Sequence, residues 1–193
     1  VFNKRVGEAY TQTVLETIEI AKKLGVPTLN MHMSKGDHFT LPDRKVALYA
    51  EYKSEYLQKW ETFRNRCTAA IGDTGMKISV ENCGDYQKCV FMVEGLDILL
   101  QSSVFVMCFD IGHNATADFT DEPTIMTREN RLSHMHVHDA QGKSNHLPLG
   151  TGELNLSSYL ALAEKHSCRC VLETKTVEGL RQSVAWLRER GVM

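Results

Sequence analysis

Proline is scarce in this sequence, with 4 in 193 residues, and tryptophan scarcer, with 2. No stretch is of low complexity and none reads as a linker, so a single domain over residues 1–193 is expected. An excess of charge of one sign is also lacking. The 22 Lys and Arg against 24 Asp and Glu leave a net charge of −2, which gives no general attraction to nucleic acid or to an anionic membrane. Long apolar runs are missing: "VFMVEGLDILL" and "SSVFVMCF" are too short, or broken by charge, to span a bilayer. The opening "VFNKRVGEAY" does not read as a signal peptide. Six cysteines, Cys67, Cys83, Cys89, Cys108, Cys168 and Cys170, form no CxxC pair. A chain of this size, 42% hydrophobic, builds a core without disulfides, so reduced structural thiols and a cytoplasmic setting are expected.

What is present is alternation. Val6, Tyr10, Val14, Ile18 and Ala21 recur at helical spacing over 3–24, and Gly25 supplies a stop. "PTLNMHMS" then reads as a strand. Pro42 is placed to open a long helix to about Ile71, with Tyr49, Tyr52, Tyr56, Trp60, Phe63 and Cys67 as its apolar stripe and Gly72 at its end. "MKISVEN" is a strand, 86–101 a helix and "SVFVMCFD" a strand. A loop with Gly112, Pro123 and room for a short helix leads to the strand "RLSHMHVHD". Residues 156–166 are helical, "RCVLETK" is a strand and 177–190 a last helix. Strands alternating with helices imply right-handed crossovers and a parallel sheet. The class is α/β, with doubly wound sheets and (β/α) barrels as the two options.

Read by parity, each strand has an apolar face fit to meet helices, with Ile78, Val80, Phe105, Phe109, Met135 and Leu172 as the expected core. The other face ends, at the C-terminal tip, in a side chain able to bind a metal: His32, Glu81, Asp110, His136 and Glu173. In parallel α/β folds those tips are where sites are built. Carboxylates gathered there would raise one another's pKa, and a divalent cation removes the conflict. Mixed carboxylate and imidazole ligands suit Mn²⁺, Mg²⁺, Co²⁺, Fe²⁺ or Zn²⁺. This also gives a reason for the histidine face of "RLSHMHVHDA", where His134, His136 and His138 alternate.

The motifs "SVENCG", "CFDIGH", "HMHVHDAQGKSNHLPLGTGELN" and "VLETK" resemble the xylose isomerase-like TIM-barrel superfamily over about residues 5 to 190. That group includes sugar and sugar-phosphate isomerases and epimerases and endonuclease IV-type repair enzymes. The resemblance implies a parallel (β/α) barrel and one divalent cation (Mn²⁺, Mg²⁺, Co²⁺ or Zn²⁺) held by Glu81, Asp110, His136 and Glu173. It implies that Glu81 and Glu173 also move the proton, from opposite faces of a sugar or sugar phosphate, through an enediolate. His113 matches a substrate-contacting histidine, His32 a strand-end histidine, and His146 a histidine ahead of the "GxG" loop. His134 is expected to face substrate or support the ligands, and His138 to be a strand-end residue bonded to a loop.

Two departures stand out. The barrel has eight strands and this chain shows about five, so the first strands are missing. The chain is then a fragment of a longer protein, or copies associate to cover the open sheet. The Asp-x-His of the nuclease type reads Ser144-Asn145-His146 here, which removes one acid from a multi-metal cluster. An isomerase or epimerase without nucleic-acid or membrane partners is therefore the leading expectation. A phosphodiesterase on abasic DNA and a truncated, inactive ligand-binding remnant are the alternatives.

Overall fold

The computed structural model describes residues 2–193. Five strands form one sheet in the order β1 (Thr28–His32), β4 (Lys77–Glu81), β5 (Phe105–Asp110), β6 (Leu132–Val137) and β9 (Arg169–Leu172). Two short antiparallel hairpins, β2 (His38–Thr40) with β3 (Lys45–Ala47) and β7 (Asp139–Gln141) with β8 (Ser144–Leu147), stand apart from it. The class is the α/β one expected, with strands and helices alternating along the chain. No helix among the described residues is long and apolar enough to cross a membrane. The chain divides into two compact units.

The first unit holds residues through Val80 together with Lys88–Val106. Its helix α1 (Lys4–Lys23) starts where the Asn3 side chain accepts hydrogen bonds from the N–H groups of Arg5 and Val6, and ends on Lys22 and Lys23, which suit the negative end of the helix dipole. α2 (Leu48–Glu51) and α3 (Lys53–Ile71) replace the single helix expected from Pro42. Pro42 lies instead in the β2–β3 turn, where the Leu41 N–H donates to the Arg44 carbonyl at 2.8 Å. A residue with no N–H fits a hairpin turn as well as a first helical turn, so sequence alone does not separate the two. Of the expected stripe, Tyr49, Tyr56 and Cys67 are buried while Tyr52 is 54% exposed. Tyr56 meets Phe91 of α4 (Val90–Leu100) edge-on at 5.4 Å and Trp60 at 5.9 Å. These T-shaped pairs add to simple area burial.

The second unit holds Glu81–Gln87 and Met107–Met193. β5 is buried along its whole length, on both faces, as central strands of parallel sheets are. β5 and β6 pair in parallel, as do β6 and β9. Short helices α5 (Ile111–Thr116) and α6 (Glu122–Met126) occupy the segment read in sequence as a loop with a short helix, followed by α7 (Leu156–Lys165) and α8 (Val177–Glu189). Ile78, Val80, Phe105, Phe109 and Met135 are buried as expected. Leu172 is only half-buried, because β9 is the last strand of the sheet and is otherwise exposed. All six cysteines are free thiols.

Candidate metal centre

The centre is built entirely within the second unit. Glu81 ends β4, Asp110 ends β5, His136 lies near the end of β6, and Glu173 follows β9 directly. The pairing register brings them level: Asp110 lies opposite His136, and His136 opposite Val171, two residues before Glu173. The Glu173 N–H continues the ladder by donating to the Val137 carbonyl at 3.3 Å. Each of the four residues offers a ligand atom, and these atoms lie within 4.8 Å of one another. Nδ1 of His136 is the common focus, 3.0 Å from Glu173 Oε2, 3.2 Å from Glu81 Oε2 and 3.7 Å from Asp110 Oδ2.

Glu81 and Asp110 are 2% and 0% exposed. Burying carboxylates so close together is costly unless positive charge balances them. His136 Nδ1 and Glu173 Oε2 are buried and make no hydrogen bond, although they stand 3.0 Å apart. Two ligands about 2.1 Å from one ion are at most about 4.2 Å apart, and the three carboxylate oxygens stand 3.0, 3.2 and 3.7 Å from His136 Nδ1. The donor set, one imidazole and three carboxylates, therefore fits a hard or borderline divalent cation.

The surroundings set each group. Burial works against the charge on Asp110, yet His136 and His138 beside it and the His113 N–H hold its carboxyl well below the usual range. His136 loses some basicity to burial, but Asp110, Cys108 and Glu81 push it up to about 12. His113 is raised by the Glu81 carboxylate, 3.2 Å from its Nδ1, against the opposing effect of burial. Burial lowers His134, helped by the neighbouring His136, and lowers His146 as well. The Cys108 thiol is pushed up to about 11 by burial, so it stays protonated.

Of the remaining expected site residues, His113 sits on the first turn of α5 against Glu81 and Asp110. His134 packs its ring on His136, with centroids 5.4 Å apart. His146 stacks on His138 at 4.3 Å and meets His113 edge-on at 5.4 Å. His32 ends β1 in the first unit and is exposed.

Three further residues hold the centre in place, and sequence reasoning undervalued or missed them. His138 is fully buried, and its Nε2 lies 3.0 and 3.1 Å from the two oxygens of Asp110. Its Nδ1 accepts the His146 N–H at 2.8 Å, which leaves the ring proton on Nε2 to be donated to Asp110. Asn82, also fully buried, grips the Asp110 backbone from both sides, accepting its N–H at 2.8 Å and donating to its carbonyl at 3.1 Å. Asp139 accepts four backbone N–H groups, from Ala140, Gly150, Gly152 and Leu154, and so fixes the "GTG" loop. The only sequence signal for these was position beside a ligand, in "SVEN" and "HVHD".

Comparisons with known proteins agree with this architecture. The family model described as "xylose isomerase-like TIM barrel" matches residues 2–190. An uncharacterized protein of Methanocaldococcus jannaschii is 20% identical over 198 residues, spanning 97% of this chain and 71% of that protein. A solved D-tagatose 3-epimerase-like protein matches all of this chain and 73% of its own, with a TM-score of 0.76 and 24% identity. The IOLI protein, solved with a binding zinc atom, matches all of this chain and 70% of its own, with a TM-score of 0.68 and 12% identity. Other structural neighbours are a 3-keto-D-glucoside 4-epimerase of E. coli and a family 2 AP endonuclease of Brucella melitensis. With its five parallel strands, the chain has an incomplete parallel (β/α) barrel fold and belongs to the xylose isomerase-like TIM barrel family.

Proposed function

We propose that the protein is a divalent-metal-dependent isomerase or epimerase acting on a sugar or sugar phosphate by proton transfer through an enediolate. The observation that carries this reading is the convergence of Glu81, Asp110, His136 and Glu173, with buried donor atoms on His136 and Glu173 that no protein group satisfies. Those four residues would hold the cation. When bound, it supplies Lewis-acid polarisation of the substrate carbonyl. Glu81 and Glu173 come from different strands and both reach the His136 focus. One carboxylate removes the proton from the carbon beside the carbonyl, and the other returns a proton to the opposite face. Such a base must lie within hydrogen-bond reach of that carbon-bound proton. His113 Nδ1 lies 3.2 Å from Glu81 Oε1, where a protonated ring would steady the carboxylate charge between transfers. His134 and His146 pack beside the centre, against His136 and His113, and would meet substrate hydroxyls.

The test is solvent deuterium entry into a ketose or ketose phosphate, followed by NMR on protein loaded with Mn²⁺, Mg²⁺, Co²⁺ or Zn²⁺. Exchange next to the carbonyl is expected, falling about 10²- to 10⁴-fold in Glu173→Gln. No exchange with any ketose and any of the four ions would refute the reading.

A second group, His138, His146 and Glu173, also has its donor atoms within 4.8 Å of one another, a feature that favours a multi-metal phosphodiesterase. Both ring nitrogens of His138 are already engaged, and the net charge of −2 offers no general pull on DNA. Three zinc ions per chain with cleavage of an abasic-site oligonucleotide would establish it instead. Absence of any metal binding would leave the inactive-remnant reading.

A further inference from the structure

Beside the candidate centre, within the same unit, lies a cavity of about 400 Å³. Its wall is made by residues 143–148, residues 174–176 and Gly179. Two features tie it to the centre. His146 belongs both to the cavity wall and to the ring cluster of His113 and His138. Thr174 and Lys175 of the wall directly follow Glu173 in the chain. The volume falls within the range of roughly 300–1,000 Å³ typical of small-molecule sites.

The chemistry of the wall is one-sided. It contains two lysines and a histidine and no Asp or Glu. Lys143 is held by Asp118 at 2.9 and 3.0 Å and by the Thr116 carbonyl, so its charge is answered and its place fixed. Lys175 is exposed, and among the described residues it has no hydrogen bond or ion pair. The Ser144 hydroxyl and the Asn145 amide, on β8, are likewise uncommitted side-chain donors on this wall. An open cavity lined by unengaged donors and a free cation, and by no acid, suits an anionic group with several acceptor oxygens.

We infer that this cavity binds an anionic group, a phosphate or a carboxylate, carried by the substrate at the end away from the reacting carbons. Lys175 is its counter-charge, and Ser144 and Asn145 are its hydrogen-bond donors. This rests on the proposed function and narrows it: the substrate is a sugar phosphate or a sugar acid, and Lys175 is the residue that selects it over a neutral sugar.

Titration calorimetry of the metal-loaded full chain with inorganic phosphate, and separately with acetate, tests this directly. Phosphate or acetate should bind the native protein, and Lys175→Met should weaken that binding about tenfold, with Lys175→Arg restoring most of it. Whichever probe binds more tightly names the source of the anion. Circular dichroism melts of both variants check that they fold. No binding of either anion, or equal binding by the native and Lys175→Met proteins (an anion sitting on the metal alone), overturns the inference. In parallel, deuterium exchange into a ketose and its terminally phosphorylated or carboxylated form should favour the anionic one, a preference that Lys175→Met should erode about tenfold. If anions bind through Lys175 but no ketose exchanges, the proposed reaction fails while the anion site stands.

Discussion

His138 is the residue on which the geometry of the centre turns. Its ring is buried between Asp110, to which it donates, and the His146 N–H, which it accepts. Replacing it by Phe keeps a ring of similar bulk and removes both bonds. Partners that orient metal ligands in this way are worth about 10- to 100-fold in metal affinity. A loss of that size is expected for His138→Phe, read by calorimetric titration with Mn²⁺ or Zn²⁺; unchanged affinity would mean that Asp110 is held adequately by Asn82 and α5. The ring also explains a glycine. A Cβ on Gly112 would lie 1.9 Å from His138 Cε1, so Gly112→Ala must displace the imidazole or the helix start. Such overpacking costs about 1–3 kcal/mol, measurable by urea unfolding. Here Gly112 serves a close approach inside α5, although in sequence it reads as a loop residue.

β6 carries the most consequential irregularity. Met107 pairs with Leu132, but Cys108 pairs with His134, so Ser133 is an extra residue that bulges out of register. Were Ser133 paired in the ladder and not bulged, counting on from Met107–Leu132 would set Asp110 opposite Met135. Since successive side chains of a strand point to opposite faces, that slip would turn the imidazole of His136 away from the carboxylates. Deletion of Ser133 removes the extra residue and keeps Asp110 opposite His136, so cation binding is expected to survive it in the same titration; lost binding would show that the bulge itself shapes the centre. At the tip of β4, Asn82→Ala would strip both hydrogen bonds from the buried Asp110 backbone. An unsatisfied buried group costs about 1–3 kcal/mol, so a drop of at least that size is expected in chemical denaturation. The α/β alternation and most helix limits were legible, because apolar periodicity and terminal Gly or Asn are local properties. The two hairpins were not, because three-residue strands such as "HFT" are too short for alternation to register.

The unit that carries the four donors should be stabilised by the cation. All four donors come from one compact unit, so binding to the native state must add to its stability. At a free cation concentration about 100 times Kd the gain is about 2.7 kcal/mol, a rise in melting temperature of roughly 5–10 °C for a chain of this size. Chelation should reverse it, and the Glu81→Ala, His136→Ala double variant should show no shift. An equal shift in that variant would place the ion elsewhere. The amino-acid sequence by itself determined the α/β class, the strand tips that carry His32, Glu81, Asp110, His136 and Glu173, and most of the apolar core, since these follow from periodicities of two and 3.6 along the chain. Only the tertiary structure decided that Asp110 meets His136, that His138, bonded to the His146 N–H at the strand end, is also buried against Asp110, and that Asp139 organises a glycine loop. Those depend on inter-strand register and on hydrogen bonds between residues as many as 28 positions apart, which no local pattern encodes.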